Sequence, residues 1–209
     1  RIVITDLDTL KTLPREEFRA GLAEVVKYGV IGDAELFDYL ESYSDQILEL
    51  VPDCLAYVIE ASCVIKARIV EKDERENRYR MILNFGHTLG HAIEVVTQYK
   101  KFKHGEAVAI GMVFAGKLSQ EMNRCSEEVV LRITKLIQRL GLPTRLPDFP
   151  AAAFIESMYY DKKSQDKSIK FILTQGIGSI EIVDRVEEFV LKNLLDQFQR
   201  QGIKNQTYL

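Results

Sequence analysis

A mainly α fold with a short N-terminal strand and a small β-hairpin is the class that the sequence predicts, on three observations. Apolar residues recur at helical spacing through most of the 209 residues. The helical stretches are bracketed by capping residues, prolines and glycines, and strict alternation is confined to one region near 169–183. Hydrophobic residues make up 46% and charged ones 28%, which is enough to build a core and excludes a disordered or collagen-like chain.

In chain order, Arg1–Asp6 reads as a strand running into a polar turn. Thr12, Pro14, Glu16 and Glu17 mark a helix start: a cap, a first-turn proline and two acids on the positive end of the dipole. Phe18, Leu22, Val25 and Val26 continue that helix until Gly29–Gly32 ends it, and Asp33 caps a second over Ala34–Tyr43. Pro52 opens a long helix to about Glu76, with Leu55, Val58, Ile59, Ser62, Cys63, Lys66 and Ile69 on one stripe. Two further helices are expected at about Met81–Gln98 and Glu106–Met122, the second rich in small residues (Ala107, Ala109, Gly111, Ala115) that predict close packing. Ser126–Leu140 is amphipathic, capped by Ser126 and stopped by Gly141 and Pro143. A Pro-rich turn over Leu146–Pro150 leads to a short helix at Ala151–Tyr160. Ile169–Thr174 and Ser179–Val183 alternate as strands joined through Gly176 and Gly178, and a last helix covers Val186–Arg200.

Composition narrows the function classes. A net charge of −3 argues against nucleic-acid binding, and no apolar run reaches the roughly 18 residues that span a bilayer. Cys54, Cys63 and Cys125 are too few and scattered for a disulfide framework, so a reducing cytoplasm is expected. No dinucleotide fingerprint, P-loop or nucleophile elbow is present. A start at Arg1, with no initiator Met and no secretory signal, is read as a processed or partial chain.

The chemistry-bearing residues cluster. His87 and His91 stand at i and i+4 on one helix face, flanked by Gly86 and Gly90, and His104 follows within 18 residues of His87. Three such histidines start a divalent-metal site, although a helix cap and a packed core histidine would explain them too, and the metalloprotease pattern HExxH is absent. Glu24 and Lys27 stand at i,i+3 among Leu22, Ala23, Val25 and Val26, which favours a buried or cleft setting over a surface ion pair. Lys66 on its apolar stripe reads alone as a snorkelling lysine. Asp73–Arg80 reads as a solvated, charge-dense helix end, with Arg80 set apart by standing one turn from the histidines. Asp161-Lys162-Lys163 is most simply a solvated run.

Four segments together, Thr9–Pro14, Phe18–Gly29, Leu83–His91 and His104–Met112, resemble the 3-dehydroquinate synthases, over residues 1 to about 180 and the C-terminal part of that enzyme. The resemblance implies the multi-helix C-terminal domain of that fold. It also implies a shikimate-pathway enzyme that converts 3-deoxy-D-arabino-heptulosonate 7-phosphate, a sugar-acid phosphate, to 3-dehydroquinate plus phosphate, with a divalent metal (zinc, with cobalt the alternative) and a catalytically cycled NAD. By position it implies Glu24, His87 and His104 as metal ligands, and Lys27, Lys66, Arg80, Asn84 and His91 on substrate. It further implies His91, Glu76 and Lys27 in catalysis, Lys162 or Lys163 at the phosphate, and Thr9, Leu10, Lys11 and Thr12 against NAD. Residues 1–14 would then be a remnant of, or linker from, a missing N-terminal NAD-binding domain, with 15–209 the helical domain of a homodimer. Arg78, where the family commonly has Gly, and Gln165-Asp166 depart from its pattern and are expected to alter local shape. Sister cyclases making valiolone- or inosose-type rings, a polyol dehydrogenase, and a non-catalytic metal-binding or oligomerisation fragment are the competing readings.

Overall fold

The structure is a computed structural model that describes residues 4–75, 78–160 and 169–204. Eight α-helices and one two-stranded sheet appear among them: α1 (Arg15–Gly32), α2 (Ala34–Leu48), α3 (Pro52–Lys72), α4 (His87–Val96), α5 (His104–Glu121), α6 (Glu127–Arg139), α7 (Ala151–Tyr160), β1 (Phe171–Gly176), β2 (Ser179–Val183) and α8 (Glu188–Lys204). Short 3-10 segments at Leu7–Lys11 and Tyr79–Asn84 precede α1 and α4. No helix among the described residues is long and apolar enough to cross a membrane.

The middle of the domain is α5. It is apolar or small on nearly every face, the pattern of a helix surrounded by others, and from Gly105 to Ser119 every residue but Glu106 and Lys117 is buried. Around it pack α1, α4, α6 and β1, with α4 making the most extensive contact. Glycines set the approach. At Gly111 a Cβ would run into the carbonyl oxygen of Gly86, and at Gly105 one would run into that of Ala20. Phe37, Phe85, Phe114 and Phe154 fill the core at full burial.

Most element boundaries agree with the sequence reading. Asp33 caps α2, its Oδ1 accepting from Leu36 N–H at 2.9 Å. On α6, Val130, Ile133, Leu136 and Ile137 face inward. Its outer face is tied to α2 by Arg132 on Glu41 and Asp38 and by Arg139 on Asp45 (2.8 Å). The strands pair antiparallel, Phe171 opposite Val183, with an irregularity between Thr174 and Gly176. The hairpin is pinned by Gly178 N–H on the Val30 carbonyl at 3.0 Å, at the far end of α1. At the near end of α1, Arg15 Nη1 donates to the Leu48 carbonyl at 2.6 Å.

Four expectations are corrected. Of the N-terminal strand, residues 1–3 lie outside the described residues, and 4–6 are neither helix nor strand, the first regular turn being the 3-10 segment capped by Asp6. Thr12 does not cap α1, because the helix starts three residues later, after Pro14, and Thr12 instead closes that 3-10 segment. The helix expected over Met81–Gln98 is broken at Gly86, whose φ of +80° is left-handed and whose missing Cβ admits Met112. The α2 helix runs past Tyr43 to Leu48 through a kink at that tyrosine.

Candidate metal and substrate site

Three helices bring the site together. Glu24 and Lys27 lie midway along α1, His87 and His91 in the first turns of α4, and His104 is the first residue of α5. The turn at Gly86 and the tight crossing at Gly105 are therefore what bring these helix ends to α1. Glu24, His87 and His104 each offer one ligand atom, all within 4.8 Å of one another. The three imidazoles form a cluster, with ring centres 5.3 Å apart for His87–His104, 5.5 Å for His87–His91 and 5.9 Å for His91–His104.

The two atoms of the Glu24 carboxylate face different partners. Oε2 takes Lys27 Nζ at 2.5 Å, whereas Oε1 is buried, has no hydrogen-bond partner and lies 3.5 Å from His87 Nε2. A buried carboxylate oxygen left unsatisfied is costly, and a cation seated between it and the histidines would satisfy it. The ring of His87 is oriented for that task, with Nδ1 3.2 Å from the Phe85 carbonyl and Nε2 toward Glu24. Burial, reinforced by the nearby charge of Lys27, pushes its pKa down to about 4, against the opposite pull of Glu24. At neutral pH it is an uncharged imidazole with a free lone pair. A His2Glu donor set with room beside it fits a divalent cation of the catalytic zinc type.

Beside these donors opens a cleft of about 390 Å³ lined by Glu24, Lys27, Tyr28, Lys66, Arg80, Met81, Leu83, Asn84 and His87. Lys27 is almost fully buried (3% exposed), and desolvation lowers its pKa despite the raising effect of Glu24. Lys66 reaches the cleft from α3, so it is more than a snorkelling side chain. The cleft gathers three cationic side chains, Lys27, Lys66 and Arg80, in its lining, which suits an anionic ligand. His91 lines an adjoining pocket of about 340 Å³ with Thr88, Glu94, Tyr99 and Ser157.

Not every candidate converges. Thr9, Leu10, Lys11 and Thr12 form and follow the first 3-10 segment and are not among the residues lining the cleft, with Lys11 paired to Asp8 at 2.7 Å. Glu76, Lys162 and Lys163 lie outside the described residues. Two residues were missed by the sequence reading. Asp73, read as part of a solvated helix end, is buried, and its Oδ2 accepts from the backbone N–H of Arg78 (2.9 Å) and Arg80 (3.0 Å). It closes the loop that presents Arg80. Arg78 ties the same loop to the hairpin through Asp184 at 2.8 Å. Glu94 is the second: it stands on the face of α4 that carries His87 and His91, at i+7 and i+3, a spacing visible in the sequence.

Comparison with known proteins places these features in context. The 3-dehydroquinate synthase C-terminal family profile matches residues 21–164. The 3-dehydroquinate synthase of Thermoanaerobacter pseudethanolicus is 47% identical over 194 residues, 93% of this chain and 54% of that protein. The chain thus spans about half the length of the curated relatives it matches. Among solved structures, the 2-epi-5-epi-valiolone synthase of Streptomyces hygroscopicus subsp. jinggangensis, with NAD+ and Zn2+ bound, superposes with a TM-score of 0.85 at 25% identity, covering 94% of this chain and 55% of that one. A 2-deoxy-scyllo-inosose synthase complexed with carbaglucose-6-phosphate, NAD+ and Co2+ superposes with a TM-score of 0.73 at 25% identity, over 92% of this chain and 54% of that one.

Proposed function

This chain belongs to the 3-dehydroquinate synthase family, and from that premise we propose that it is the metal- and substrate-holding part of an enzyme converting 3-deoxy-D-arabino-heptulosonate 7-phosphate to 3-dehydroquinate plus phosphate. The observation that carries the reading is the convergence of Glu24, His87 and His104, with one carboxylate oxygen of Glu24 buried and unsatisfied, at the edge of a cationic cleft.

In this reading Glu24, His87 and His104 hold a divalent cation, zinc or cobalt, whose chemistry when bound is to polarise a substrate hydroxyl. The chain's own residues do the rest. Lys27 holds the second oxygen of Glu24, fixing the carboxylate, and its ammonium faces the cleft where a substrate oxygen would lie. Arg80, on the loop closed by Asp73, offers a planar fork matched to a carboxylate, and Asn84 adds an amide beside it. Lys66 supplies a mobile point charge for the phosphate end. His91, with Glu76 by family resemblance, serves proton transfer, and Lys162 or Lys163 reaches the phosphate. NAD is held by Thr9–Thr12 together with a domain supplied by the remainder of a longer protein, which the half-length coverage of the relatives supports. A homodimer in the cytoplasm, and no turnover by these 209 residues alone, belong to the same proposal.

The superposed cyclases favour one second reading, a valiolone- or inosose-type cyclase with the same cation site. Phosphate release separates the two. The full-length protein is expected to prefer the heptulosonate phosphate over sedoheptulose 7-phosphate, because the Arg80 fork suits the carboxylate that only the former carries. Preference for sedoheptulose 7-phosphate, which carries the phosphate but no carboxylate, would overturn the first reading, and net NADH formation from a polyol would overturn both.

A further inference from the structure

The Glu94 carboxylate on α4 is only 10% exposed at its side chain, and among the described residues its ionic partner is a histidine rather than Lys or Arg. Its Oε1 is 3.1 Å from Nδ1 of His104, the first residue of α5. A carboxylate only accepts, so the proton in that contact resides on His104 Nδ1. The same ring is the one whose neighbours are Glu24 and His87, and its side chain is half exposed (50%), so packing alone leaves it free to turn.

We infer that Glu94 is a positioning residue for the cation site. It holds the His104 ring by Nδ1–H and thereby leaves the lone pair at Nε2 for the cation shared with Glu24 and His87. The logic matches His87, whose Nδ1 is engaged by the Phe85 carbonyl, but the partner differs in kind. A carboxylate makes the imidazole a stronger electron donor, and loss of such a partner typically costs 10–100-fold in metal affinity. The backbone of Glu94 is itself fixed, because its carbonyl accepts from Tyr99 N–H at 2.8 Å at the end of α4. His104 is thus aimed by a residue ten positions earlier, across the α4–α5 junction.

The inference rests on the cation reading of Glu24, His87 and His104, and the experiment separates the two. Metal-free protein labelled with 15N-histidine is compared by NMR at neutral pH for wild type, Glu94→Gln and Glu94→Leu, and each is titrated with Co2+. Wild-type His104 is expected as the Nδ1–H tautomer and Glu94→Leu as the Nε2–H tautomer that free imidazole side chains favour. Glu94→Gln retains an acceptor and is expected to keep Nδ1–H. The Co2+ dissociation constant is expected to rise roughly 10–100-fold in Glu94→Leu and less in Glu94→Gln. An Nε2–H tautomer in wild type, or Co2+ affinity in Glu94→Leu within threefold of wild type, would overturn the inference. Complete loss of Co2+ binding in folded Glu94→Gln, as severe as in Glu24→Gln, would make Glu94 a ligand and overturn it too. Unchanged Co2+ affinity in Glu24→Gln would sink the cation reading instead, while leaving the tautomer result to stand.

Discussion

Gly105 presses against Ala20 so closely that a Cβ at 105 would run into the Ala20 carbonyl oxygen, and one helical turn beyond Ala20 stands Glu24. The contact therefore fixes how near His104, the neighbour of Gly105, comes to Glu24 across the α1–α5 crossing. Gly105→Ala is expected to force the helices apart, at about 1–3 kcal/mol or more of stability. It should also weaken cation binding in whatever fraction folds. Urea denaturation and Co2+ titration of the variant check both; an unperturbed protein with wild-type affinity would show that the crossing does not set the site.

Chelator-stripped protein is expected to gain thermal stability when zinc is restored. At free zinc 100-fold above the dissociation constant the gain is about 2.7 kcal/mol. Glu24→Gln, His87→Gln and His104→Gln should each abolish the shift. Calorimetry with and without zinc measures it, and metal content unchanged in all three variants would mean the ions sit elsewhere.

Asp73 satisfies the N–H groups of Arg78 and Arg80. Asp73→Ala leaves them unpaired in a partly buried loop, for a loss of about 1–3 kcal/mol. In the full-length enzyme, KM for the acidic substrate should rise more than kcat falls, because Arg80 loses its support rather than its charge. Steady-state kinetics with phosphate release as readout would decide the matter, and a pure kcat effect would contradict it.

The Asp45 carboxyl is held below its ordinary value by its hydrogen bond and charge pairing with Arg139 across α2 and α6. A depressed carboxylate pKa contributes stability that is present above the unfolded value and is lost as pH falls through the folded value. Arg139→Met should therefore lower the denaturation midpoint slightly near pH 6, and the difference from wild type should shrink as pH falls through the ordinary carboxylate range and vanish once the pH lies below the depressed folded value. A difference that persists in acid would assign the effect to the hydrogen bond that Arg139 Nη1 donates to the Glu41 carbonyl (2.9 Å) instead.

Local signals made the helices legible. The Asp33 cap, the Val130/Ile133/Leu136/Ile137 stripe and the glycine-flanked hairpin each declare themselves within a dozen residues. What escaped was set by tertiary contact. Gly86 looks like one tolerable glycine in an apolar helical run, and only the approach of Met112 shows why the chain must turn there. Asp73 sits among charges and reads as solvated until the backbone N–H groups of Arg78 and Arg80 are seen to close on it. At the site, the pairing of Glu24 with His87, sixty-three positions away, follows from family likeness and not from spacing. Glu94 was readable as the third member of a helix-face triplet with His87 and His91, but its tie to His104 is a property of the α4–α5 junction.

The two ends of α1 are both fastened, Arg15 to the Leu48 carbonyl and the Val30 carbonyl to Gly178 N–H. A slide of one residue along its axis, about 1.5 Å, would break both ties at once. The helix bearing Glu24 and Lys27 is thus a fixed rail, and any adjustment to the length or ring size of a bound molecule falls to the 3-10 segment that carries Arg80. On the proposed reading, selectivity among related sugar phosphates follows from how that segment is braced by Asp73, and exchanging residues 73–80 between relatives is the economical test of it.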